Sequence, residues 1–231
     1  MHQVDPARHK AQLRQYFDGV GFARWSAIYG QGELSAIRRS IRTGHTTMLT
    51  TALDWLDQAG SLGDAPTALD AGCGTGLLTL ALAERGFAVT ASDLAPQMVA
   101  ATTAAVAEAG LSERVTCQVA DLEALTGHYD LVACFDVLIH YPAAPFVSML
   151  RQLADRSRTT LLFTYAPHSP FLAAMHRIGG LFPSGQRRTT IQMIPDQLVQ
   201  QTLTACGMRL VRSQRISSGF YHVTLVQAQR I

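Results

Sequence analysis

The chain of 231 residues has 19 basic side chains, of which only Lys10 is a lysine, and charged residues make up just 16%. The formal net charge is +2. No basic block is present of the kind that grips a phosphate backbone, which argues against a nucleic-acid partner. There are four cysteines, Cys73, Cys117, Cys134 and Cys206, and none pairs at CxxC spacing. That spacing excludes a thiolate zinc site and reads as reduced core packing. No apolar run reaches the ~18–20 residues that cross a bilayer, so no transmembrane segment is expected. The opening MHQVDPARHK has no apolar core of a secretory signal, which makes a cytoplasmic location the expectation. Aromatic residues are scarce, at 7%, yet five of them fall in the fifteen-residue stretch YFDGVGFARWSAIYG, 16–30.

The length suits one α/β domain with an appendage. We place an N-terminal helical arm and lid at 1–60 and the main domain at 61–231, interrupted by an insertion at 168–194. Leu34, Ile37, Ile41, Met48, Ala52, Leu53 and Leu56 recur at helical spacing, which predicts a helix over 33–59. Arg38, Arg42 and His45 share another face of it. Strands are predicted at 67–71, 87–93, 114–121, 129–136 and 158–167, alternating with helices at 75–86, 96–110 and 143–154. A helix over 195–207 and a hairpin turning on Ser217, Ser218 and Gly219 close the chain. Alternating β and α elements imply a Rossmann-like sheet of seven mostly parallel strands, with helices on both faces and a terminal antiparallel hairpin.

The sharpest motif is LDAGCGTG, 69–76, where the first strand meets the next helix. Glycine lets the chain turn sharply and lets a ligand lie against bare backbone, while the helix start presents free N–H groups. A dinucleotide fingerprint is GxGxxG. Here an acid, Asp70, precedes GxGxG. Asp93 ends the second strand, where a carboxylate can accept from both ribose hydroxyls. Asp121 ends the third. The combination resembles the class I S-adenosylmethionine-dependent methyltransferases. The resemblance gives Asp70 the cofactor's amino group, Asp93 the ribose, and Asp121 with Leu122 the adenine. It also gives Tyr16, Arg38, Gly72, Cys73, Gly74, Leu94 and Phe135 to the cofactor. The simpler reading of the three acids is helix capping.

After the fourth strand the loop reads FDVLIHYP, 135–142, and lacks the Asn/Asp-Pro-Pro-Tyr/Phe of amine methylation. His140 is the titratable side chain that follows Asp136 on that loop, a catalytic candidate or a structural histidine. The arm string together with IRRSIRTGH, 37–45, resembles the magnesium-protoporphyrin IX O-methyltransferase family. That resemblance implies methyl transfer to a propionate carboxylate of magnesium-protoporphyrin IX in chlorophyll or bacteriochlorophyll biosynthesis. S-adenosylhomocysteine would be the second product, and magnesium would enter only inside the substrate, with no metal held by the protein. It makes Tyr29 and His140 the catalytic pair and gives Phe17, Phe22, Trp25, Arg42 and Tyr141 to the porphyrin. A carboxylate with a reference pKa of roughly 4–4.5 is already ionised at neutral pH, so positioning and water exclusion carry most of the task. The arm would then be a glycine-hinged lid, or simply a hydrophobic staple. Arg38 and Arg42 would clamp a carboxylate, or form a solvated face. His168, His176, Arg187 and Arg188 decorate the insertion, which would cap the slot, touch a membrane peripherally, or dock the magnesium chelatase for handover. The rival acceptors are another hydrophobic acid or a phenol such as a quinone precursor, and a phenol would require a true base. A rival of another class is a non-catalytic binding module.

Overall fold

The computed structural model describes residues 6–30, 32–60, 63–168 and 191–231. The candidates His176, Arg187 and Arg188 lie outside the described residues.

The chain opens with α1 (Pro6–Tyr16), a π-helical turn (Phe17–Gly21), α2 (Phe22–Tyr29) and α3 (Ala36–Ala59). It continues through β1 (Thr67–Ala71), α4 (Leu77–Glu84), β2 (Ala88–Asp93), α5 (Pro96–Glu108), β3 (Val115–Val119) and β4 (Tyr129–Cys134). Then come α6 (Ala143–Arg156), β5 (Ser157–Pro167), β6 (Met193–Ile194), α7 (Asp196–Ala205), β7 (Met208–Ser218) and β8 (Tyr221–Arg230). Single 3-10 turns, Leu122–Ala124 and Leu138–His140, follow β3 and β4.

The main sheet path is β3-β2-β1-β4-β5-β8-β7, with two-residue β6 beside β5. β1 to β5 run parallel, and β8 is antiparallel to both β5 and β7. This matches the sequence expectation of seven strands. β6 is the addition, and it falls at the end of the stretch read as an insertion. The hairpin differs in its turn: Ser218 pairs with Tyr221, so the two turn residues are Gly219 and Phe220. Gly219 has φ 56°, and a Cβ there would press on Ser40 of α3, which fixes glycine at this corner. Ser217 and Ser218, read as turn residues, remain in the strand.

β4 and β5 are buried along nearly their whole length, as expected of strands covered on both faces. One core face gathers Leu69, Val132, Phe146, Leu150 and Phe163. The other gathers Met48, Ala52, Trp55 and Leu56 of α3 with Leu131, Leu162 and Leu225. Ser35 caps α3, its Oγ accepting from the Arg38 amide at 3.4 Å, and Gly60 at φ 82° ends the helix. Cys73 and Cys134 are buried and all four cysteines are free thiols.

Phe146 is fully buried and lies in an edge-to-face pair with Tyr165, their centroids 6.5 Å apart. Phe146→Ala is expected to lower stability by about 3–5 kcal/mol in urea denaturation. A loss below about 1 kcal/mol would contradict the packing of α6 on the sheet.

Candidate active site

The carboxyl ends of β1 to β4 open on one side of the sheet, at the point where the chain leaves β3 for β4 across β1. Crevices at such switch points are where open α/β sheets bind ligands. A cavity of about 140 Å³ lies there. Leu13, Phe17, Trp25 and Tyr29 of the arm line it, as do the three acids, Phe135, Asp136, His140 and Tyr141.

The cofactor-like half is built by the loop after β1. Gly72 has φ 94°, and a Cβ there would come 2.1 Å from Val137 Cγ2, so no other residue fits. The Gly72 and Cys73 amides donate to Ser92 O at 2.7 and 2.9 Å, tying this loop to the end of β2. Asp93 accepts from the Gly74 amide at 3.1 Å and the Ala95 amide at 2.9 Å. Asp70 is buried and accepts from Thr79 Oγ1 at 2.6 Å. Burial pushes its carboxyl up to about 7, with the Thr79 hydrogen bond opposing and the charge of Asp93 adding. Burial raises Asp93 as well, against its backbone hydrogen bonds. Asp121 caps the turn Leu122–Ala124, accepting from the Glu123 amide at 3.2 Å. Its second oxygen meets Lys10 Nζ at 2.9 Å. The single lysine thus bridges the arm to the end of β3, with Glu123 as second partner at 2.6 Å.

The arm docks at two more points. Asp18 accepts from the Gln97 amide in the first turn of α5 at 2.9 Å, and His9 Nε2 meets the His140 carbonyl at 2.9 Å. The π turn between α1 and α2 re-aims the side chains around it, a common use of such turns at functional sites. It directs Phe17 into the cavity, 5.3 Å from the His140 ring. Trp25 and Tyr29 stack, with centroids 6.3 Å apart at 7°.

Most sequence-predicted residues therefore converge on one cavity: Phe17, Trp25, Tyr29, Asp70, Gly72, Cys73, Gly74, Asp93, Leu94, Asp121, Leu122, Phe135, His140 and Tyr141 all line it. Four are not among its lining residues. The Tyr16 hydroxyl accepts from Arg24 at 3.0 Å instead. Phe22, the first residue of α2, is only half-buried. Arg38 sits exposed in the first turn of α3. Arg42 is exposed too, its guanidinium 6.0 Å from the centre of the Tyr29 ring. His168, from the insertion, is exposed.

Two polar side chains were missed. His45 and Asp136 line the same cavity. His45 Nδ1 forms a short hydrogen bond with the Tyr29 hydroxyl, and its Nε2 lies 3.9 Å from Asp136 Oδ2. The signal for His45 was its place among the arginines of one helix face. Asp136 had no motif of its own. Among the described residues no group of acids, histidines and cysteines could hold a metal ion. No helix of the described residues is long and apolar enough to cross a membrane.

The cavity thus joins a half lined by backbone amides and acids to a half walled by aromatic rings. Residues 68–159 match the model of a general methyltransferase domain, and 134–230 match that of the magnesium-protoporphyrin IX methyltransferase C-terminus. The magnesium-protoporphyrin O-methyltransferase of Synechocystis is 33% identical over 222 residues, covering 96% of each chain. That of Rhodobacter capsulatus is 33% identical over 221 residues, covering 94% of this chain and 95% of the relative. The crystal structure of magnesium protoporphyrin IX methyltransferase from Synechocystis with bound SAH superposes with a TM-score of 0.87 at 33% identity, over 96% of this chain and all of that one. Identity at that level along essentially the whole length, arm included, shows that this chain belongs to the magnesium-protoporphyrin IX methyltransferase family.

Proposed function

We propose that this chain transfers the methyl group of S-adenosylmethionine to a propionate carboxylate of magnesium-protoporphyrin IX, giving the monomethyl ester of (bacterio)chlorophyll biosynthesis. The observation that carries the reading is the single cavity in which the acid-lined loop after β1 faces the aromatic arm. A family relationship through the methyltransferase core alone would leave the acceptor open.

In this reading Asp70 holds the cofactor's amino group, and Gly72, Cys73 and Gly74 present backbone to it. Asp93 with Leu94 takes the ribose, and Asp121 with Leu122 and Phe135 frames the adenine. Phe17, Trp25 and Tyr141 wall the macrocycle. Tyr29 and His140 orient the propionate. Arg42, beside Tyr29, is the candidate partner of the second propionate. The sulfonium supplies a good leaving group, so the protein's contribution is alignment of oxygen, methyl carbon and sulfur with water excluded. The arm of residues 1–60 serves as the lid, latched by Lys10 and Asp18, and opens for product release. Receipt of the porphyrin from the magnesium chelatase, in the cytosol and with a peripheral membrane contact, belongs to the same reading. Its support is the apolar composition of SPFLAAMHRIGGLFP, 169–183.

Two outcomes are expected. First, S-adenosylmethionine with a labelled methyl group should place label in an organic-soluble, base-labile ester of magnesium-protoporphyrin IX. Metal-free protoporphyrin and a quinone-precursor phenol should take up little. Label in the phenol alone would overturn the reading. Second, an ammonium group selects the ionised form of Asp70, which in the cofactor-free protein loses its proton near pH 7. Affinity for S-adenosylhomocysteine should therefore fall as pH drops, by about tenfold between pH 8 and pH 6. Asp70→Asn should bind more weakly and flatten that dependence. Calorimetric affinities that match at the two pH values would contradict the role.

A further inference from the structure

The Tyr29 hydroxyl is the inner end of a polar chain that runs away from the cavity into the fold. Tyr29 meets His45 Nδ1, and His45 Nε2 faces Asp136 at 3.9 Å. Asp136 is itself held from two further strands. Tyr221 Oη of β8 donates to both carboxylate oxygens, at 2.9 and 3.1 Å, and Thr164 Oγ1 of β5 lies 3.1 Å from Oδ1. The Asp136 amide donates to the same Thr164 oxygen at 2.7 Å. Its side chain is only 11% exposed. Its backbone is left-handed, φ 57°, the one non-glycine residue among those described with positive φ. Such a conformation costs roughly 1 kcal/mol and persists where the surroundings over-determine it, commonly at functional sites.

α3 carries a second sign of design at this point. Gly44, buried in mid-helix beside His45, lies so close to Tyr221 that a Cβ would come within 2.5 Å of the ring. A mid-helix glycine costs about 0.5–1 kcal/mol relative to alanine, so close approach is its rationale. That approach lays His45 over the Asp136–Tyr221 pair, with ring centroids of His45 and Tyr221 6.2 Å apart.

The protonation pattern follows. A carboxylate taking hydrogen bonds from Tyr221 and Thr164 favours a proton on the facing His45 Nε2. Nδ1 is then the acceptor, and the Tyr29 O–H donates to it. The groups facing His45 are Tyr29 of α2, Asp136 after β4 and Tyr221 of β8, with Arg42 of its own helix beside Tyr29. Burial lowers the imidazole's proton affinity and Asp136 opposes this. Burial, then the charge of Asp136, raises the Tyr29 phenol, so it stays a hydrogen-bond donor. Burial holds three acids of this cavity, Asp70, Asp93 and Asp136, above their ordinary range. An acceptor carboxyl meets the same force, and the fraction that closes into the cavity still protonated needs somewhere to leave its proton.

We propose that His45 and Asp136 are the proton acceptor behind Tyr29: the substrate carboxyl gives its proton to the Tyr29 oxygen while the Tyr29 proton passes to His45 Nδ1, and Asp136 stabilises the imidazolium. This rests on the functional reading above. The freed carboxylate oxygen then forms its bond to the sulfonium methyl, the carbon–sulfur bond breaks, and its electron pair stays on sulfur as a neutral thioether. The imidazolium returns its proton to solvent when the arm opens. His45 and Asp136 need not touch the porphyrin; Tyr29 is the contact.

The test is a double-mutant cycle on the full-length protein, with Tyr29→Phe, His45→Asn, the double variant, and Asp136→Asn, which tolerates a left-handed backbone. His45→Asn should lower kcat by about 100-fold, with KM for magnesium-protoporphyrin IX changed by less than about threefold. With S-adenosylmethionine saturating at every pH, so that the titration of Asp70 does not enter, kcat of the parent should fall as pH drops through the titration of His45, and that acid limb should vanish in His45→Asn. Once Tyr29 is Phe, removing His45 should add little. Asp136→Asn should lower kcat and leave a His45 that is harder to protonate. Multiplicative losses in the double variant, or an unchanged acid limb, would overturn the relay. A readout free of substrate completes the test. Nitrogen-15 shifts of His45, assigned by difference with His45→Asn, should show protonated Nε2 and acceptor Nδ1, and Tyr29→Phe should move the Nδ1 shift. A proton on Nδ1 would overturn the relay even if the parent failed to methylate magnesium-protoporphyrin IX, whereas that failure alone would count against the functional reading.

Discussion

The constraint on which the site depends is the anchoring of Asp136 at the end of β4. One carboxylate in a left-handed turn is gripped by Thr164 from β5 and Tyr221 from β8, and it faces His45 from α3. It therefore joins the centre of the sheet, its antiparallel extension and the helical arm. A buried carboxylate without those partners would cost several kcal/mol. Because β8 lies inside the sheet rather than at its edge, the hydroxyl of Tyr221 can reach the carboxyl end of β4. The terminal hairpin thus holds a cavity residue, Asp136, in place as well as extending the sheet.

The same turn shapes the cofactor side. Val137 follows Asp136 and presses on Gly72, so the loop after β1 and the loop after β4 fix each other's position. The arm is fixed from the opposite side by ion pairs and amide contacts that are half-exposed: Lys10 with Asp121 and Glu123, and Asp18 with the Gln97 amide. Exposed pairs contribute little each and break readily. A rigid inner wall thus faces a weakly latched outer one.

Much of this was legible in the sequence. Asp70, Asp93 and Asp121 could be placed because strand ends and glycine spacing carry geometry directly. The arm could be assigned because its aromatics form a distinctive string. His45 and Asp136 could not be paired, since they meet only once α3 lies against β8, 91 positions apart in the chain. Tyr16 and Phe17 illustrate the second limit. They are neighbours with similar rings, and a π turn puts Phe17 in the cavity and leaves Tyr16 bonded to Arg24. Arg38 lies outside the cavity lining for a related reason: one helical turn separates it from Arg42, and that turn is the difference between the start of α3 and the neighbourhood of Tyr29. The Gly219–Phe220 turn was displaced because strand pairing with β8 held Ser217 and Ser218.

The central claim is that one cavity brings the cofactor's methyl group and a porphyrin propionate together against Tyr29. The most direct measurement is a crystal structure of the protein with S-adenosylhomocysteine and magnesium-protoporphyrin IX both bound. A propionate oxygen within hydrogen-bond distance of the Tyr29 hydroxyl, with the macrocycle against Phe17 and Trp25, is the expected result. A porphyrin bound elsewhere, or one whose propionates point away from Tyr29 and the sulfur, would contradict the account.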